Sequence, residues 1–539
     1  MKQLLFGKFA SAFLDRNLWL AGRWPVTAPT LFVFALSTVI NIIGAAGGAF
    51  MFYPDSATYV SPAYIFFHDG TLNGVSLFRM PGYPIFLAPL FGLFGPHAIL
   101  AMAIVQHAMT TLISVVVVRI GDELDRTRWL GLVAGVFSAF ALQIHAYARL
   151  PMTEVPFTFI SILGLLFALR YLRTGDSAPF LSAVALFCVA AMIRPVGMYM
   201  PLVLMAVPVA RALFPDCAFF AANDARESRK KNFFHLLAAG ALFAVIVTPW
   251  MLRNLSVHNY FGLSPTIGVN LYGAVIDSEH LIDERSPAVA DIKKRWDEFE
   301  RIRIARGEPP ETRYDWRQHV VSLGYYMAAT KKTLMEADKV FLQAAVDGIR
   351  AHPWGYFRLV LRSIYHSFVY ADPAFRYVPG VETGHAPPSC MPYALPATDN
   401  EESRQTLYRI AATYQHDDQN PFVWRQPTFM TPAYGALMSA YYAVQMRGKW
   451  LLLIFAFGLG TAAYLTLKQR HLMWIALVVY FAYVAVAPFL IVPGSPRHRL
   501  AADPVIDVIT ALALIHMAVL ACRAWAYAAE IWRRGRDTT

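Results

Sequence analysis

Charge is scarce in this chain: Asp, Glu, Lys and Arg make up only 15% of its 539 residues, against about 25% in an average soluble protein. That scarcity excludes an ordinary water-facing globule, whose surface would need more charge than the chain owns. Cysteine is scarcer still, with Cys188, Cys217, Cys390 and Cys522 as the full set. On the topology derived below only Cys390 faces outward, so no structural disulfide is expected, and no Cys/His spacing matches a zinc site. Basic residues outnumber acidic ones, 47 to 36. The surplus has no stacking platform or basic groove beside it, so no nucleic-acid partner is expected. Inner-face positions and anionic lipid headgroups account for it. A cleavable leader is also missing, because the start of the chain is polar and basic (Lys2, Lys8, Arg16, Arg23) and has no small-residue cleavage site before the first apolar run.

What the chain has in excess is apolar surface, at 57% hydrophobic and 14% aromatic residues. It reads as an all-α polytopic membrane protein. Windows of about twenty apolar residues mark ten expected spans, near 27–50, 97–120, 129–147, 153–172, 178–193, 196–213, 234–252, 450–468, 473–492 and 501–523. Threading them puts the basic leader, the RESRKKN loop (Arg226, Arg229, Lys230, Lys231), the turn with Lys468 and Arg470, and the RRGR tail (Arg533, Arg534, Arg536) on one side. By the positive-inside rule that side is cytoplasmic. Two large segments then face outward: the loop 51–96, and the stretch 253–449, read as a mainly helical extracytoplasmic domain. The expected organisation is therefore a transmembrane catalytic module over 1–252, the outward domain over 253–449, and C-terminal helices with a cytoplasmic tail over 450–539. Residues 372–432 are Pro-rich and turn-rich and read as an irregular loop. The stretch 430–446 reads as an interfacial helix rather than a further span. The segment 81–95 (PGYPIFLAPLFGLFG) is too short to span and too apolar to lie free in water, so it reads as an interfacial or re-entrant element and one wall of a lipid-entry groove. A kinked start to the next span is the other reading.

The informative charges are the ones that break these rules. Asp55, in MFYPDSATYVSPA, follows the first span directly, and an acid at the rim of a bilayer marks a site or caps a helix end. Glu154, in LPMTEVPFTF, lies at the outward start of the fourth span. Arg79, Arg149, Arg194, Arg253, Arg497 and Arg499 gather on the same face, in RMPGYP, ARLPMTE, MIRPVGMY, PWMLRN and PGSPRHRL. Guanidinium binds phosphate bidentately and keeps its charge in a partly dry site. The plainer reading, a snorkelling or helix-end arginine, is preferred for Arg149 and Arg499. Two carboxylates and several arginines on one face suggest acid–base chemistry beside a phosphate. Tyr59 and Tyr83 stack on sugar, line a lipid groove, or belong to an interfacial belt. The lone histidines His68, His145 and His258 read as structural.

In their order and placement these motifs resemble the GT-C membrane glycosyltransferases, in the polyprenyl-phosphate-sugar-dependent branch with the protein O-mannosyltransferases, the aminoarabinose transferase of lipid A and the rhizobial galacturonosyltransferases. The resemblance runs through Asp55, RMPGYPIFLAPLFGLFG, TEVPF, IRP, PWMLRN followed by GVNLYG, and PRHRLAADP. It implies a GT-C-like bundle and an inverting transferase that moves a sugar from a polyprenyl-phosphate donor to a hydroxyl of an envelope glycolipid, polysaccharide or protein. It further implies a multi-pass protein of a bacterial inner membrane with its site facing the periplasm. Asp55 takes the general-base position and Arg79 the place of a phosphate-binding lysine, with Arg194 and Arg253 behind it. Fixed cations suit a phosphate leaving group, so no cofactor and no obligatory metal are expected. One departure stands out: the protein mannosyltransferases carry Asp-Glu in the first loop, whereas Ser56 follows Asp55 here. Glu154 orients the acceptor, shares protons with Asp55, or bonds a nearby arginine such as Arg149. A transporter or flippase for a lipid-linked sugar is the alternative function, disfavoured by the lack of inverted repeats and by charges gathered at one face rather than mid-bilayer. A noncatalytic envelope assembly protein is a third.

Overall fold

A computed structural model describes residues 17–20, 24–48, 50–51, 55–72, 75, 77–125, 127–214, 225–307, 310, 315–369, 423–424, 429–445, 448–469, 472–491 and 496–536. The described chain is helical apart from two short antiparallel ladders. One pairs β1 (Asn17–Leu20) with β2 (Trp24–Thr27), and the other pairs β3 (Phe50–Met51) with β4 (Val423–Trp424).

The first half is a bundle of apolar helices that run back and forth. Helix α1 (Ala28–Gly47) starts at Thr27, whose hydroxyl accepts from the Thr30 amide, and at Pro29, whose missing N–H costs nothing in a first turn. A short hairpin follows, formed by α2 (Ala57–Asp69) and α3 (Gly82–Phe94). Gly95, at φ +51, turns the chain into α4 (Ala98–Leu124). Segment 82–94 is thus a helix of its own. Next come α5 (Trp129–Ala139), α6 (Leu142–Tyr147), α7 (Glu154–Thr174), α8 (Ser177–Ile193), α9 (Met200–Leu213), α10 (Ala225–Ile246) and α11 (Thr248–His258). Helices α4 and α5 touch backbone to backbone, since a Cβ on Gly121 would lie 2.3 Å from the Gly131 Cα. Close small-residue contacts of this kind hold helices together where no hydrophobic drive exists between them.

The second half opens with α12 (Ile267–Tyr272), α13 (Pro287–Ala305), α14 (His319–Thr330), α15 (Leu334–Ala351) and α16 (Pro353–Val369). The first four close a separate apolar core around Tyr272, Val289, Tyr326 and Phe341. Helix α15 shows why: Thr333 and Glu336 form a reciprocal capping box, and the buried residues Ala337, Phe341, Ala344, Ala345 and Gly348 recur at helical spacing. The GVNLYG motif belongs to this core. Asp338 accepts the amides of Gly268 and Val269 at 3.1 and 2.8 Å, and a side chain at 268 would strike the Asp338 carbonyl at 2.0 Å. The chain ends with α17 (Thr431–Gln445), α18 (Gly448–Gln469), α19 (Leu472–Phe481) and the long α20 (Asp503–Arg536).

Seven described helices are long and apolar enough to cross a membrane, and Lys230–Ile246 with Thr248–His258, bent by 40°, makes an eighth. The ten-span expectation differs at 129–147 and 178–193, which appear as the shorter apolar helices Trp129–Ala139 and Ser177–Ile193. The first of these breaks at Phe140 and Ala141, where the helix hydrogen-bond pattern gives way to a turn before α6. Helix α17 has 15 residues and packs on α1, so it matches a short helix and not a span. The irregular loop 372–432 lies largely outside the described residues.

Helix direction sorts the charges into two ends. At one end Glu123 ties α4 to α7 through Arg170 at 2.9 Å and Arg173 at 2.6 Å. At the other lie Asp55, Arg79, Glu154, Arg194 and Arg253. If the positive-inside assignment is right, a cysteine at Thr127, in a chain whose four native cysteines are serine, stays unlabelled by a membrane-impermeant thiol reagent in intact cells. One at Lys294, on the exposed face of α13, is labelled. The reverse pattern would invert the topology.

Candidate active site

The loop from α1 to α2 delivers Asp55 to the end of the bundle. Its carbonyl accepts from the Thr58 amide at 3.1 Å and the Thr58 hydroxyl at 2.5 Å, which fixes the entry to α2. Its carboxylate meets Arg79 at 2.5 Å between Oδ1 and Nη2. Arg79 also donates from Nε to the Thr58 hydroxyl at 2.9 Å and lies 5.0 Å over the Tyr59 ring. Both members of the pair stay about a quarter exposed, at 25% for Asp55 and 24% for Arg79.

Glu154 opens α7, where a carboxylate is favoured by the helix dipole. Its Oε1 meets Arg194 Nη1 at 3.0 Å, and its side chain is only 1% exposed. Its Oε2 is buried and accepts no hydrogen bond. Arg194 ends α8 with extended backbone ahead of Pro195, which cannot continue the helix. Of the roles open to Glu154, pairing with Arg149 is replaced by pairing with Arg194.

Tyrosines join the two ion pairs. Tyr59 and Tyr83 meet edge to face at 5.4 Å. Tyr83 is fully buried, and desolvation followed by the nearby Glu154 charge pushes its phenol well above its ordinary range, so it stays neutral. Its hydroxyl donates to Gln106 Oε1 at 3.1 Å, and the Gln106 amide donates to the carbonyls of Ala148 and Leu150 at 3.1 and 2.9 Å. Gly82 permits this arrangement, since a Cβ there would lie 2.5 Å from the Met192 carbonyl near the end of α8. Asp55, Arg79, Tyr59, Tyr83, Glu154 and Arg194 therefore form one connected region.

Arg253 joins it through backbone. Its guanidinium donates to the carbonyls of Leu72 and Val75 at 3.2 and 3.0 Å and stacks 4.6 Å over Trp250, so it grips the loop that carries Arg79. Of the two arginines read as snorkelling or helix-end residues, both are buried, and Arg499 donates to the Ser367 carbonyl near the end of α16. Arg149 is 2% exposed, with Tyr434 as hydrogen-bond partner and stacking ring, and Arg499 is 7% exposed and paired with Asp503 at 2.7 Å. Arg149 is enclosed by Gly48 and Tyr434, and Arg499 by Gln143, Ser367 and Phe368, all distant in sequence, which no local reading of ARLPMTE or PRHRL could reveal. His145 is likewise buried and hydrogen-bonded to Asn41.

Gln106 and Thr58 were missed by the sequence reading. Gln106 had a signal, a polar side chain midway along an apolar helix. Thr58 had none. Among the described residues no three His, Cys, Asp or Glu side chains gather to hold a metal ion.

An open apolar groove of about 280 Å³ runs between α7, α8, α9 and α19, lined by Leu165, Leu172, Phe187, Leu204, Val207 and Ile475 among others. None of the residues lining it comes from 81–95. Tyr483, also in its lining, donates to the Val196 carbonyl, two residues beyond Arg194.

No family model and no curated protein matches the chain. Solved structures similar to it include the Archaeoglobus fulgidus oligosaccharyltransferase AglB in complex with an inhibitory peptide and a dolichol-phosphate, at 14% identity and a TM-score of 0.45 over 93% of this chain and 51% of that one. Another is ArnT from Cupriavidus metallidurans bound to undecaprenyl phosphate, at 12% identity and a TM-score of 0.34 over 90% of this chain and 77% of that one. A third is the arabinosyltransferase EmbB from Mycobacterium smegmatis, at 13% identity and a TM-score of 0.31 over 83% of this chain and 43% of that one. The chain spans about half the length of the archaeal structures it resembles.

The two members of the Glu154–Arg194 pair differ in what their loss costs. Removing one partner of a buried pair strands a charge, at about 3–5 kcal/mol. Arg194→Met leaves the enclosed Glu154 carboxylate uncompensated, whereas Glu154→Gln leaves Arg194, 19% exposed, within reach of water. Thermal unfolding of the purified variants should therefore show the larger drop for Arg194→Met. The double variant should recover part of it.

Proposed function

We propose that this chain is an inverting glycosyltransferase. It moves a sugar from a polyprenyl-phosphate donor to a hydroxyl of an envelope glycolipid, polysaccharide or protein, at the periplasmic face of a bacterial inner membrane. The observation that carries the reading is the Asp55–Arg79 pair at the bundle end. It places a carboxylate that can take a proton beside a cation that can take a phosphate, on a partly exposed loop.

In the proposed reaction Asp55 accepts the proton of the acceptor hydroxyl as that oxygen bonds to the anomeric carbon. The bond from that carbon to the phosphate oxygen breaks, and its electron pair leaves with the polyprenyl phosphate. Arg79 is the first phosphate ligand, with Arg194 and Arg253 behind it. Arg253 also holds the 72–75 backbone that leads to Arg79. Tyr59 and Tyr83 pack edge to face as a buried aromatic wall that backs Arg79. The buried Oε2 of Glu154 is an acceptor for a hydroxyl donated by sugar or acceptor.

The apolar groove suits the polyprenyl chain. Leu165 and Leu172 lie about 16 and 27 Å along α7 from Glu154 at 1.5 Å per residue. A tail entering beside Arg194 would thus run down the bundle while its phosphate stays at the charged end. A phosphate leaving group needs no general acid, so fixed cations suffice for it.

Asp55→Asn should remain folded and lower transfer from a supplied donor by about two to four orders of magnitude, the usual contribution of a positioned base. Mass spectrometry of lipids retained by the purified protein should reveal a polyprenyl phosphate. Arg79→Lys should keep more transfer than Arg79→Gln, because charge is retained where the planar fork is lost. Parent-like transfer by a stable Asp55→Asn protein would remove the base assignment, and a transporter would show no transfer at all.

A further inference from the structure

The Asp55–Arg79 contact sets a condition on the order of events. In an inverting displacement the nucleophile and the leaving group occupy opposite faces of the anomeric carbon. With the attacking oxygen about 3 Å from that carbon and ordinary hydrogen bonds at both ends, the base oxygen and the phosphate-holding nitrogen lie about 8 Å or more apart. Asp55 Oδ1 and Arg79 Nη2 are 2.5 Å apart. The same two atoms cannot hold each other and serve opposite faces of one carbon.

The geometry points to a donor-released base: the donor phosphate displaces Asp55 from Arg79, and that release from the guanidinium lets the carboxylate take the acceptor proton. The inference rests on the transferase reading and adds to it an order of binding, donor before acceptor. A carboxylate satisfied by a guanidinium is a poor proton acceptor, so the chain without donor does not activate hydroxyls or water. Three features make the exchange feasible. The pair is about a quarter exposed on both sides, so a phosphate can approach it. Water in contact with both members screens part of their attraction. Arg79 is also steered by groups other than Asp55, the Thr58 hydroxyl at 2.9 Å and the Tyr59 ring, so it stays in place when the carboxylate leaves. The Glu154–Arg194 pair is different in kind, because a carboxylate with 1% of its side chain exposed has no such path of exchange.

The test is a double-mutant cycle of undecaprenyl phosphate binding, read by titration of the protein in lipid nanodiscs. If the carboxylate competes with the phosphate for Arg79, Asp55→Asn binds about three- to tenfold more tightly than the parent, the range expected of a partly exposed pair. In an Arg79→Gln background the same change at Asp55 gives no gain. Arg79→Lys, which keeps a cation, retains part of the coupling and covers the case in which the Gln variant is unstable. Equal tightening in both backgrounds would mean plain repulsion between carboxylate and phosphate and would overturn the inference, as would no tightening in either. The transfer assay is a separate readout: a parent-like rate for Asp55→Asn removes the base itself, whereas a lost rate with no coupling removes only its release by the donor.

Discussion

An acid at the rim of an apolar bundle persists only with a cation at hand, and the fold depends on that constraint throughout its charged end. Glu154 sits in surroundings that leave it 1% exposed, where an uncompensated carboxylate would cost several kcal/mol. Arg194 answers it, and in doing so fastens the start of α7 to the end of α8. The same logic ties Arg499 to Asp503 at the head of α20, with the Arg499 Nη1 also donating to the Ser367 carbonyl at 2.6 Å. The pairs are therefore joints between helices as well as site groups. Asp55–Arg79 is the exception in degree. Its quarter exposure puts it among pairs worth at most about 1 kcal/mol, too little to hold a fold together and little enough to exchange for a ligand.

Much of this end was legible because charge is conspicuous against an apolar background. Asp55, Arg79, Glu154, Arg194 and Arg253 each break a pattern that their neighbours keep, and the structure brings all five to one end. What the sequence could not supply was pairing. Glu154 lies five residues from Arg149 and forty from Arg194, yet it bonds the second. Hydropathy windows also count apolar residues without reading helix continuity. The break at Phe140 therefore went unseen, whereas the end of α8 at Ile193 falls where the apolar window ends and only its length, 17 residues, sets it apart from the longer spans. Hydrogen-bonding partners such as Thr58 were invisible for a different reason: a threonine at a helix start is ordinary wherever it occurs. The motifs GVNLYG and PRHRLAADP proved informative in another sense. They mark packing sites, a glycine pressed on Asp338 and a buried Arg499–Asp503 pair.

Arg149 shows how the root of that loop is held. Among the described residues its Nε and Nη1 are buried with no hydrogen-bond acceptor, a costly state that dense packing sustains. The packing is visible. Gly48 lies so close that a Cβ there would sit 1.2 Å from Nη1, the Tyr434 ring stacks 4.6 Å from the guanidinium carbon, and the Tyr434 hydroxyl accepts from Nη2. Thr431 adds a hydrogen bond to the Gly47 carbonyl at 3.2 Å, and β3 pairs with β4 just beyond. Apart from the Gly48 contact, these are made by Val423, Trp424, Thr431 and Tyr434, with Thr431 lying 384 positions beyond Gly47. Gly47 to Met51 is thus clamped from a distance, while Asp55, four residues further on, faces outward in a weak pair. A rigid root with a releasable tip is the arrangement a proton acceptor needs if it is to meet its substrate in one orientation yet change partners during the reaction.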